Sequence, residues 1–391
     1  MTDRLHPPPS ELDRVPAAHR VVRRARTLAI LGLRRLTTAR EVSGLTVAEH
    51  HVTRPRFAAI DAHSHLRGTF AAGWETRSAA ELGAFLDSVG ADRIVDLNGE
   101  YGARLAAEQE RFRPLGERVA IFAGIDYGLV ATTDDFGARM ADEARRSKAA
   151  GAMGLKVWKT LGLHARDRRG RLVALDDERM DPFWAVAGEL DLPVMIHVAD
   201  PRAFFQKPSR SNERRDELRL HPEWRYWPSR PRGDATHAGF PAHDELIEQF
   251  RGVLRRHPGT RFIGAHVAGV AEDLGLVGEM LDEHRNLLID TSARIAELGR
   301  QPYSAHDLIV RFPDRVLFGV DRVDARAYRL YYRLLETRDE YFEYGFGRVP
   351  QNGNWRVYGL GLPDDVLAQV YRGNALREIW KTVDTGTSAT R

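Results

Sequence analysis

Short apolar runs alternate with longer stretches of helical periodicity from residue 57 onward. Each run has the length of a buried strand, whereas stretches such as "DDFGARMADEARRSKAAG" repeat apolar residues at helical spacing. This alternation is typical of βα units that build a parallel sheet. Eight runs follow one another: "RFAAIDAHSH", "ADRIVDLNG", "RVAIFAGIDYG", "AMGLKVWKT", "LPVMIHVAD", "TRFIGAHVAG", "NLLIDTS" and "RVLFGVDR". Eight strands with intervening helices predict an α/β fold, a closed (β/α)8 TIM barrel.

The flanks of this pattern differ from it. Residues 1–56 contain an Arg-rich, helical-looking segment at 17–42 and few large apolar groups, so we expect a basic arm that packs on the barrel. Residues 57–382 form the predicted barrel, and 383–391 a flexible tail. The link after the fifth strand, roughly 203–259, is rich in Arg, Trp, Pro and His. An insertion of that length usually shapes a binding site or a subunit contact.

Composition narrows the classes of function. The chain has 391 residues, of which 43% are hydrophobic. Its 58 Lys and Arg residues barely exceed its 55 Asp and Glu residues, so the net charge does not favour a nucleic-acid partner. No apolar run is long enough to span a membrane, and "LAILGL" is too short for a usual export signal. We therefore expect a cytoplasmic protein. The chain has no cysteine, so any metal must sit on nitrogen and oxygen ligands.

Polar residues stand where the apolar runs end. In "DAHSH", alternation at period 2 predicts that Asp61, His63 and His65 face the same side of the first strand. The carboxyl ends of all eight strands meet at one face of a barrel, where the reactive groups of such folds lie. Four further residues occupy strand ends: Lys156 on the fourth, His197 on the fifth, His266 on the sixth and Asp321 on the eighth. Several histidines and an aspartate at one barrel mouth predict a metal site.

Neutral imidazoles and a carboxylate suit a borderline divalent ion such as Zn²⁺, and they leave a coordination position open for water. Such an ion lowers the pKa of that water toward 7, so that hydroxide can attack a polarised carbonyl at neutral pH. The same ligands also accept other divalent ions, and one or two ions are compatible with this set. For Asp321 the alternative is a helix N-cap after the strand.

"DAHSH" on the first strand, with His on the fifth and sixth strands and Asp on the eighth, resembles the amidohydrolase superfamily over about residues 57–382. The short flanks favour the amidohydrolase-2 branch, which includes the aminocarboxymuconate-semialdehyde decarboxylase type. The resemblance implies that His63, His65, His197 and Asp321 hold a metal. It also implies that Asp321 passes a proton from water to the leaving group, while His266 stabilises oxyanion charge or shuttles a proton.

Lys156 admits two interpretations. It resembles the fourth-strand lysine that is carboxylated in urease-like and hydantoinase-like members and bridges two metals, with His197 and His266 then holding the second ion. As an ammonium it would instead bind an anionic substrate or an oxyanion. Trp158 lies two residues further on the same face, where it either walls the pocket or fills the barrel.

Arginines also follow strand ends, notably Arg67, Arg202 and Arg294. Guanidinium groups pair bidentately with carboxylates, so these residues predict a carboxylate-bearing small-molecule substrate, although surface arginines are common in so charged a chain. We expect Asp290 and Ser292 on the seventh strand either to orient other groups or simply to cap the backbone.

The leading hypothesis is therefore a metal-dependent hydrolase acting on an amide, lactone or related small molecule. The alternative is a metal-dependent non-oxidative decarboxylase of a small carboxylic acid, which an arginine-lined pocket with one metal would favour. A third possibility is a non-catalytic barrel, which the complete set of candidate ligands disfavours. The basic arm and "YRLYYRLLETRDEYFEYGFG" are candidate contacts of a homo-oligomer, unless the Tyr and Leu stripe of the latter packs on the barrel.

Overall fold

Eight parallel strands in sequential order form the central sheet of this computed structural model. It describes residues 43–68, 71, 73–227, 239–345, 353 and 355–382; the predicted helix within 17–42, most of the N-terminal arm and the predicted tail lie outside them. The strands are β1 Ala59–Ser64, β2 Ala91–Glu100, β3 Val119–Ala123, β4 Gly154–Val157, β5 Val194–Ile196, β6 Phe262–Gly264, β7 Leu287–Asp290 and β8 Val316–Leu317. All eight apolar runs thus become strands, which confirms the predicted barrel.

Backbone hydrogen bonds bring the first and last strands together. Ala62 N donates to Phe318 O at 2.8 Å, and Asp321 N donates to His63 O at 2.7 Å. These two bonds nearly close the sheet into a barrel, and the second one ties the end of β1 directly to the residue that follows β8. Two candidate ligands are therefore joined through their own backbones.

Helices surround the strands. They are α1 Ala79–Val89, α2 Gly102–Phe112, α3 Gly128–Thr132, α4 Phe136–Ala149, α5 Asp181–Glu189, α6 Arg215–Leu220, α7 His243–Arg256, α8 Leu274–Glu283, α9 Ile295–Arg300, α10 Pro302–Arg311, α11 Ala325–Glu336 and α12 Asp364–Ala368. A π-helical stretch continues α12 to Trp380. Among the described residues, no helix is both long and apolar enough to cross a bilayer.

The hydrophobic core has two parts. Side chains from alternate strand positions, such as Ile60, Val95 and Met195, fill the inside of the barrel, and Leu376 and Trp380 from the C-terminal helix join them. The opposite strand faces pack against the surrounding helices in a second, larger cluster. Trp380 donates its indole N–H to Glu117 O just before β3, so the C-terminal helix closes the barrel at the amino ends of the strands. The carboxyl ends stay available for the site.

Two segments differ from the simplest expectations. The predicted insertion of 203–259 includes α7, an ordinary crossover helix, so the irregular part is shorter than expected. Residues 328–336, the first part of the Tyr-rich segment, lie in α11, where Tyr328, Tyr331 and Tyr332 are fully buried against the barrel. The described part of the molecule thus shows that this stripe is core packing.

Candidate metal centre

Asp61 ends the regular part of β1. Its buried carboxylate accepts hydrogen bonds from His63 N (3.0 Å), Ser64 Oγ (2.5 Å), Val320 N (3.1 Å) and Tyr328 Oη (2.5 Å). Burial raises the pKa of Asp61 to about 6, and the hydrogen bonds from Ser64, Tyr328 and His63 oppose the rise. Simple alternation placed Asp61 on the same face as the two histidines, but a register shift between Asp61 and Ser64 leaves its carboxylate bonded to Tyr328 of α11, which fits a role in orienting the strand end. Asp61 instead holds the strand end in place.

His63, His65 and Asp321 form one compact group, with one ligand atom from each lying within 4.8 Å of the others. Asp321 Oδ1 lies 3.5 Å from His63 Nε2 and 3.4 Å from His65 Nε2. Asp321 adopts a left-handed backbone conformation, with φ of 68°, which is costly for a residue with a side chain. The carboxylate reaches the histidines from this strained turn after β8.

The pKa values of His65 and Asp321 favour the protonation states that bind a cation, a neutral imidazole and an ionised carboxylate. Burial lowers the pKa of His65 to about 4, so its imidazole is neutral near pH 7. Burial opposes the ionisation of Asp321, but the hydrogen bond of His65 and the nearby histidine and lysine charges lower the pKa of Asp321 to about 2. The ionised carboxylate of Asp321 therefore faces the neutral imidazole ring of His65.

The donor atoms of this group fit a divalent cation. His63 Nδ1 donates to Asp290 Oδ2 at 2.7 Å, so the neutral form of this ring carries its lone pair on Nε2. That Nε2 is buried and has no hydrogen-bond partner among the described residues, yet it faces the Asp321 carboxylate. A lone pair opposite a carboxylate is unfavourable unless a positive charge lies between them, and a metal ion supplies that charge.

His266 lies beside this group rather than within it. Its ring centroid is 4.7 Å from that of His63, and its Nδ1 is 2.8 Å from Ser292 Oγ. Burial, followed by the charges of His197 and His63, holds its pKa well below the usual range, so the ring is neutral. Three consecutive residues, His266 to Ala268, have positive φ between 55° and 59°. Such strain is characteristic of residues whose placement serves a site.

His197 follows β5, and its ring centroid is 4.5 Å from that of His266. Burial lowers its pKa to about 4. Its Nε2 lies 3.2 Å from Asp200 Oδ1. The structure thus brings His197 against the histidine cluster, although the compact three-residue group does not include it.

Lys156 points into the barrel beside the histidines. Its Nζ is fully buried, lies 4.9 Å from the centre of the Trp158 ring and has no hydrogen-bond partner in the described part of the chain. Burial lowers the pKa of Lys156 to about 8, and the charges of Asp290 and Asp321 oppose that change. Trp158 in turn stacks on His65, with ring centroids 5.0 Å apart. Both residues therefore line the same side of the candidate centre.

The three candidate arginines have different surroundings. Arg67 pairs with the buried Glu108, and Arg202 lies 3.3 Å from Asp244 on the surface. Arg294 is buried, and its Nη1 donates to Ala293 O at 3.0 Å. Its charge acts on the pKa of His266. Of the three, Arg294 is the one the structure brings close to the histidines.

Two further aspartates contact the histidines, and only one of them was expected. Asp290 accepts hydrogen bonds from the His63 ring, His266 N (3.0 Å) and Ser292 N (2.9 Å), so it orients two histidines as well as capping the backbone. Sequence reasoning missed Asp200 as a functional candidate. Its position three residues after His197, in "HVAD" at a strand end, was the available signal.

Comparisons with known proteins agree with this architecture. The amidohydrolase family model (Amidohydro_2) matches residues 60–378. A 2,6-dihydroxybenzoate decarboxylase from Rhizobium aligns with a TM-score of 0.50 at 15% identity, covering 83% of this chain and 99% of that one. A structure titled as 2,6-dihydroxybenzoate decarboxylase complexed with 2,6-dihydroxybenzoate aligns with a TM-score of 0.50 at 16% identity, covering 84% and 99%. At these identities the likeness concerns the fold. A comparison with curated protein sequences found no match.

Proposed function

Because the chain belongs to the amidohydrolase family, we propose that it is a metal-dependent hydrolase that attacks a carbonyl carbon of a small molecule. The observation that carries this proposal is the group of His63, His65 and Asp321. In this group the buried Nε2 of His63 faces an ionised carboxylate, and it has no hydrogen-bond partner in the part of the chain that the structure describes. The family and this group together support a divalent metal. Zinc is the ion we propose, with His197 as a further ligand, because its ligand preferences match imidazole nitrogen and carboxylate oxygen.

A divalent ion held by these residues would act as a Lewis acid on the carbonyl oxygen and would lower the pKa of an attacking water. The residues of the chain would do the rest. Asp321 is the most exposed member of the group, with 18% of its side chain accessible against 0% for His63 and 4% for His65. Its carboxylate is therefore the base that an incoming water and substrate meet, and it would take the proton of the water and deliver it to the leaving group.

Lys156 would stabilise negative charge that develops on the substrate, and His266 would shuttle a proton. An ammonium in a dry site acts strongly on a nearby oxyanion, since no water screens it. The buried Nζ of Lys156 has an unused capacity to donate hydrogen bonds, judged over the described residues. The Nδ1 of the neutral His266 ring donates to the carbonyl oxygen of Ser292 at 3.1 Å, so the lone pair on Nε2 is the group that would take up a proton.

We further propose that the substrate carries a carboxylate, which Lys156 and Arg294 would bind while Trp158 forms a wall of the pocket. Lys156 and Arg294 are buried cations near the histidines, and a planar guanidinium pairs well with a carboxylate. Each of the other two candidates, Arg67 and Arg202, already pairs with an acidic side chain in the structure. Their binding to substrate therefore stays a prediction from the sequence.

Decarboxylation is the second candidate, and the buried cations favour it. A substrate carboxylate would lose CO₂, its bonding electron pair would stay on the adjacent carbon, and a proton would bond to that carbon. Two similar structures carry the name 2,6-dihydroxybenzoate decarboxylase, which makes hydroxybenzoic acids the first substrates to test. A single metal with Lys156 as a free ammonium would suit either reaction, whereas a carboxylated Lys156 between two metals would favour the hydrolase.

The test is to load the full-length protein with Zn²⁺ and to offer it two panels. The first contains lactones, amides and esters with a carboxylate, in ¹⁸O-labelled water; the second contains carboxyl-¹³C hydroxybenzoic acids. Incorporation of ¹⁸O into a product carboxylate that His63→Ala abolishes supports the hydrolase, and labelled CO₂ supports the decarboxylase. Asp282→Asn, which changes an exposed partner of Arg311, is the matched control and should retain activity. A Zn²⁺-loaded protein inactive on both panels would contradict the proposal.

A further inference from the structure

The carboxylate of Asp200 joins three separate parts of the chain. Its Oδ1 lies 3.2 Å from His197 Nε2, and its Oδ2 accepts from Lys159 Nζ at 2.5 Å and from Tyr226 Oη at 2.9 Å. Lys159 follows β4, His197 follows β5, and Tyr226 lies in the irregular insertion between β5 and α7. Only 10% of the Asp200 side chain is exposed. This arrangement is a built network rather than a solvated surface pair.

The network determines which nitrogen of His197 is free. A carboxylate only accepts, so Nε2 of a neutral His197 ring must carry the proton that Asp200 binds. The lone pair of that ring then resides on Nδ1, which is the nitrogen available to a metal. Carboxylates that bind the distal nitrogen of a ligand histidine fix its tautomer and the angle of its ring.

The insertion takes part in this network through a buried tyrosine. Tyr226 N donates to Phe204 O at 2.9 Å, and its ring packs against Phe205 and Phe240 with centroids 5.0 and 5.3 Å away. Lys159 lies over the same ring, 5.6 Å from its centre. The hydroxyl of Tyr226 is thus held in place by aromatic packing, and it supports the oxygen of Asp200 that also faces Lys159.

We propose that Asp200 is a positioning residue that fixes His197 as the Nδ1 ligand of the metal, and that Tyr226 makes the insertion a structural part of the metal site. This inference rests on the proposed function, because it assigns a role toward the same metal. It adds that Tyr226 of the long insertion supports the ligand His197 through Asp200.

The substitution Asp200→Asn tests the tautomer with little change in shape. The amide oxygen of Asn should take the place of Oδ2, because two donors, one of them charged, converge there. The amide NH₂ would then take the place of Oδ1 and donate to His197 Nε2. His197 would have to move its proton to Nδ1, and the nitrogen assigned to the metal would be blocked.

The first readout needs no metal. Long-range ¹H–¹⁵N correlation spectra of metal-free, ¹⁵N-histidine-labelled protein distinguish protonated from unprotonated ring nitrogens, and a His197→Gln sample assigns the signals. We expect Nε2–H in the unmodified protein and Nδ1–H in Asp200→Asn. The second readout is the Kd for Zn²⁺ from competition with a chelator, which should rise about 10- to 100-fold in Asp200→Asn. Asp282→Asn carries the same chemical change at an exposed site and should match the unmodified protein in both readouts.

Tyr226→Phe removes one hydroxyl and keeps the ring that packs in the insertion. We expect its Zn²⁺ Kd to rise severalfold, but less than that of Asp200→Asn, with the His197 tautomer unchanged. A Zn²⁺ Kd equal to that of the unmodified protein would refute the proposal that Tyr226 makes the insertion a structural part of the metal site. Equal thermal stability of the variants would exclude misfolding as the cause of any change.

The two proposals fail in different ways. If the unmodified protein shows Nδ1–H on His197, or if Asp200→Asn changes neither the tautomer nor the Kd, the inference on Asp200 is wrong while a metal site remains. If the unmodified protein binds no Zn²⁺, the proposed function is wrong, and the tautomer spectra alone then decide whether Asp200 positions His197.

Discussion

Asp96 offers a test of the electrostatics around the first histidine pair. Its side chain is 1% exposed, and its carboxylate accepts from Leu66 N and from Asn98 Nδ2, both at 3.1 Å. Leu66 directly follows His65, so Asp96 holds the turn after the candidate ligands. Burial raises the pKa of Asp96 to about 7, and the carboxylates of Glu108 and Glu100 add to this effect.

The sign of the pH effect follows from that raised pKa. Between its ordinary value of 3.8 and about 7, the folded protein holds the Asp96 proton while the unfolded chain has lost it. The contribution of Asp96 to the free energy of unfolding therefore falls as pH rises through this range and is constant above it. The full loss is roughly 4 kcal/mol at most. Relaxation of the surroundings and entry of water reduce this figure, so we expect a loss of about 2 to 4 kcal/mol.

The substitution Asp96→Asn removes the ionisation and keeps an oxygen for Leu66 N. We expect the variant to be more stable than the unmodified protein at pH 8, and its advantage to be about 2 kcal/mol larger there than at pH 5. Urea unfolding at both pH values measures this difference. Asp282→Asn, in an exposed ion pair with Arg311, is the control and should change stability by less than about 0.5 kcal/mol. An Asp96→Asn variant with no advantage at pH 8, or with the same advantage at pH 5, would refute the reasoning.

Three further changes test the site and its scaffold. Lys156→Met should lower kcat/KM about 10²- to 10³-fold and leave the metal content unchanged, because we assign the ammonium to substrate; loss of metal would instead indicate a bridging role. Asp321→Asn should lower kcat at least about 10²-fold, since it removes the proposed proton acceptor, and kcat equal to that of the unmodified enzyme would contradict that role. Gly137→Ala should destabilise the protein by about 2 to 4 kcal/mol in urea unfolding, because the added Cβ would lie 1.8 Å from Arg179 O; Gly259→Ala, with open space around it, should have little effect, and equal stabilities would contradict the packing of α4.

The strands were predictable because each is a buried apolar run, and burial in a parallel sheet demands little beyond that pattern. The ends of the strands were predictable for a related reason. Polar residues such as His197 and His266 break an apolar run where the strand leaves the core, and the topology of a barrel gathers all those ends at one face.

The direction of Asp61 could not be predicted from alternation. Period 2 assumes a regular strand, whereas β1 shifts register between Asp61 and Ser64. Hydrogen bonds from Val320 N and Tyr328 Oη hold the carboxylate there, and both donors lie more than 250 residues away in sequence. The pairing of Arg67 with Glu108 and of Arg202 with Asp244 was hidden for the same reason, since a local pattern contains no information on distant partners.

The roles of Asp290 and Asp200 were only partly visible. Each follows or ends a strand, which the sequence shows, but the ring nitrogen that each contacts depends on how neighbouring strands and the insertion pack. The sequence thus indicates which residues reach the barrel mouth, and the structure indicates which nitrogen each histidine presents.

The most direct test of the metal centre is the metal content per chain, by elemental mass spectrometry, of protein purified without added metal. We expect about one equivalent of a divalent metal in the unmodified protein and almost none in His63→Ala. The reason is that His63 Nε2 is a buried ligand atom of the group formed with His65 and Asp321, and it has no hydrogen-bond partner among the described residues. Asp282→Asn should retain the metal content of the unmodified protein. Absence of metal from the unmodified protein, even after incubation with Zn²⁺, or full retention of metal in His63→Ala, would contradict the account.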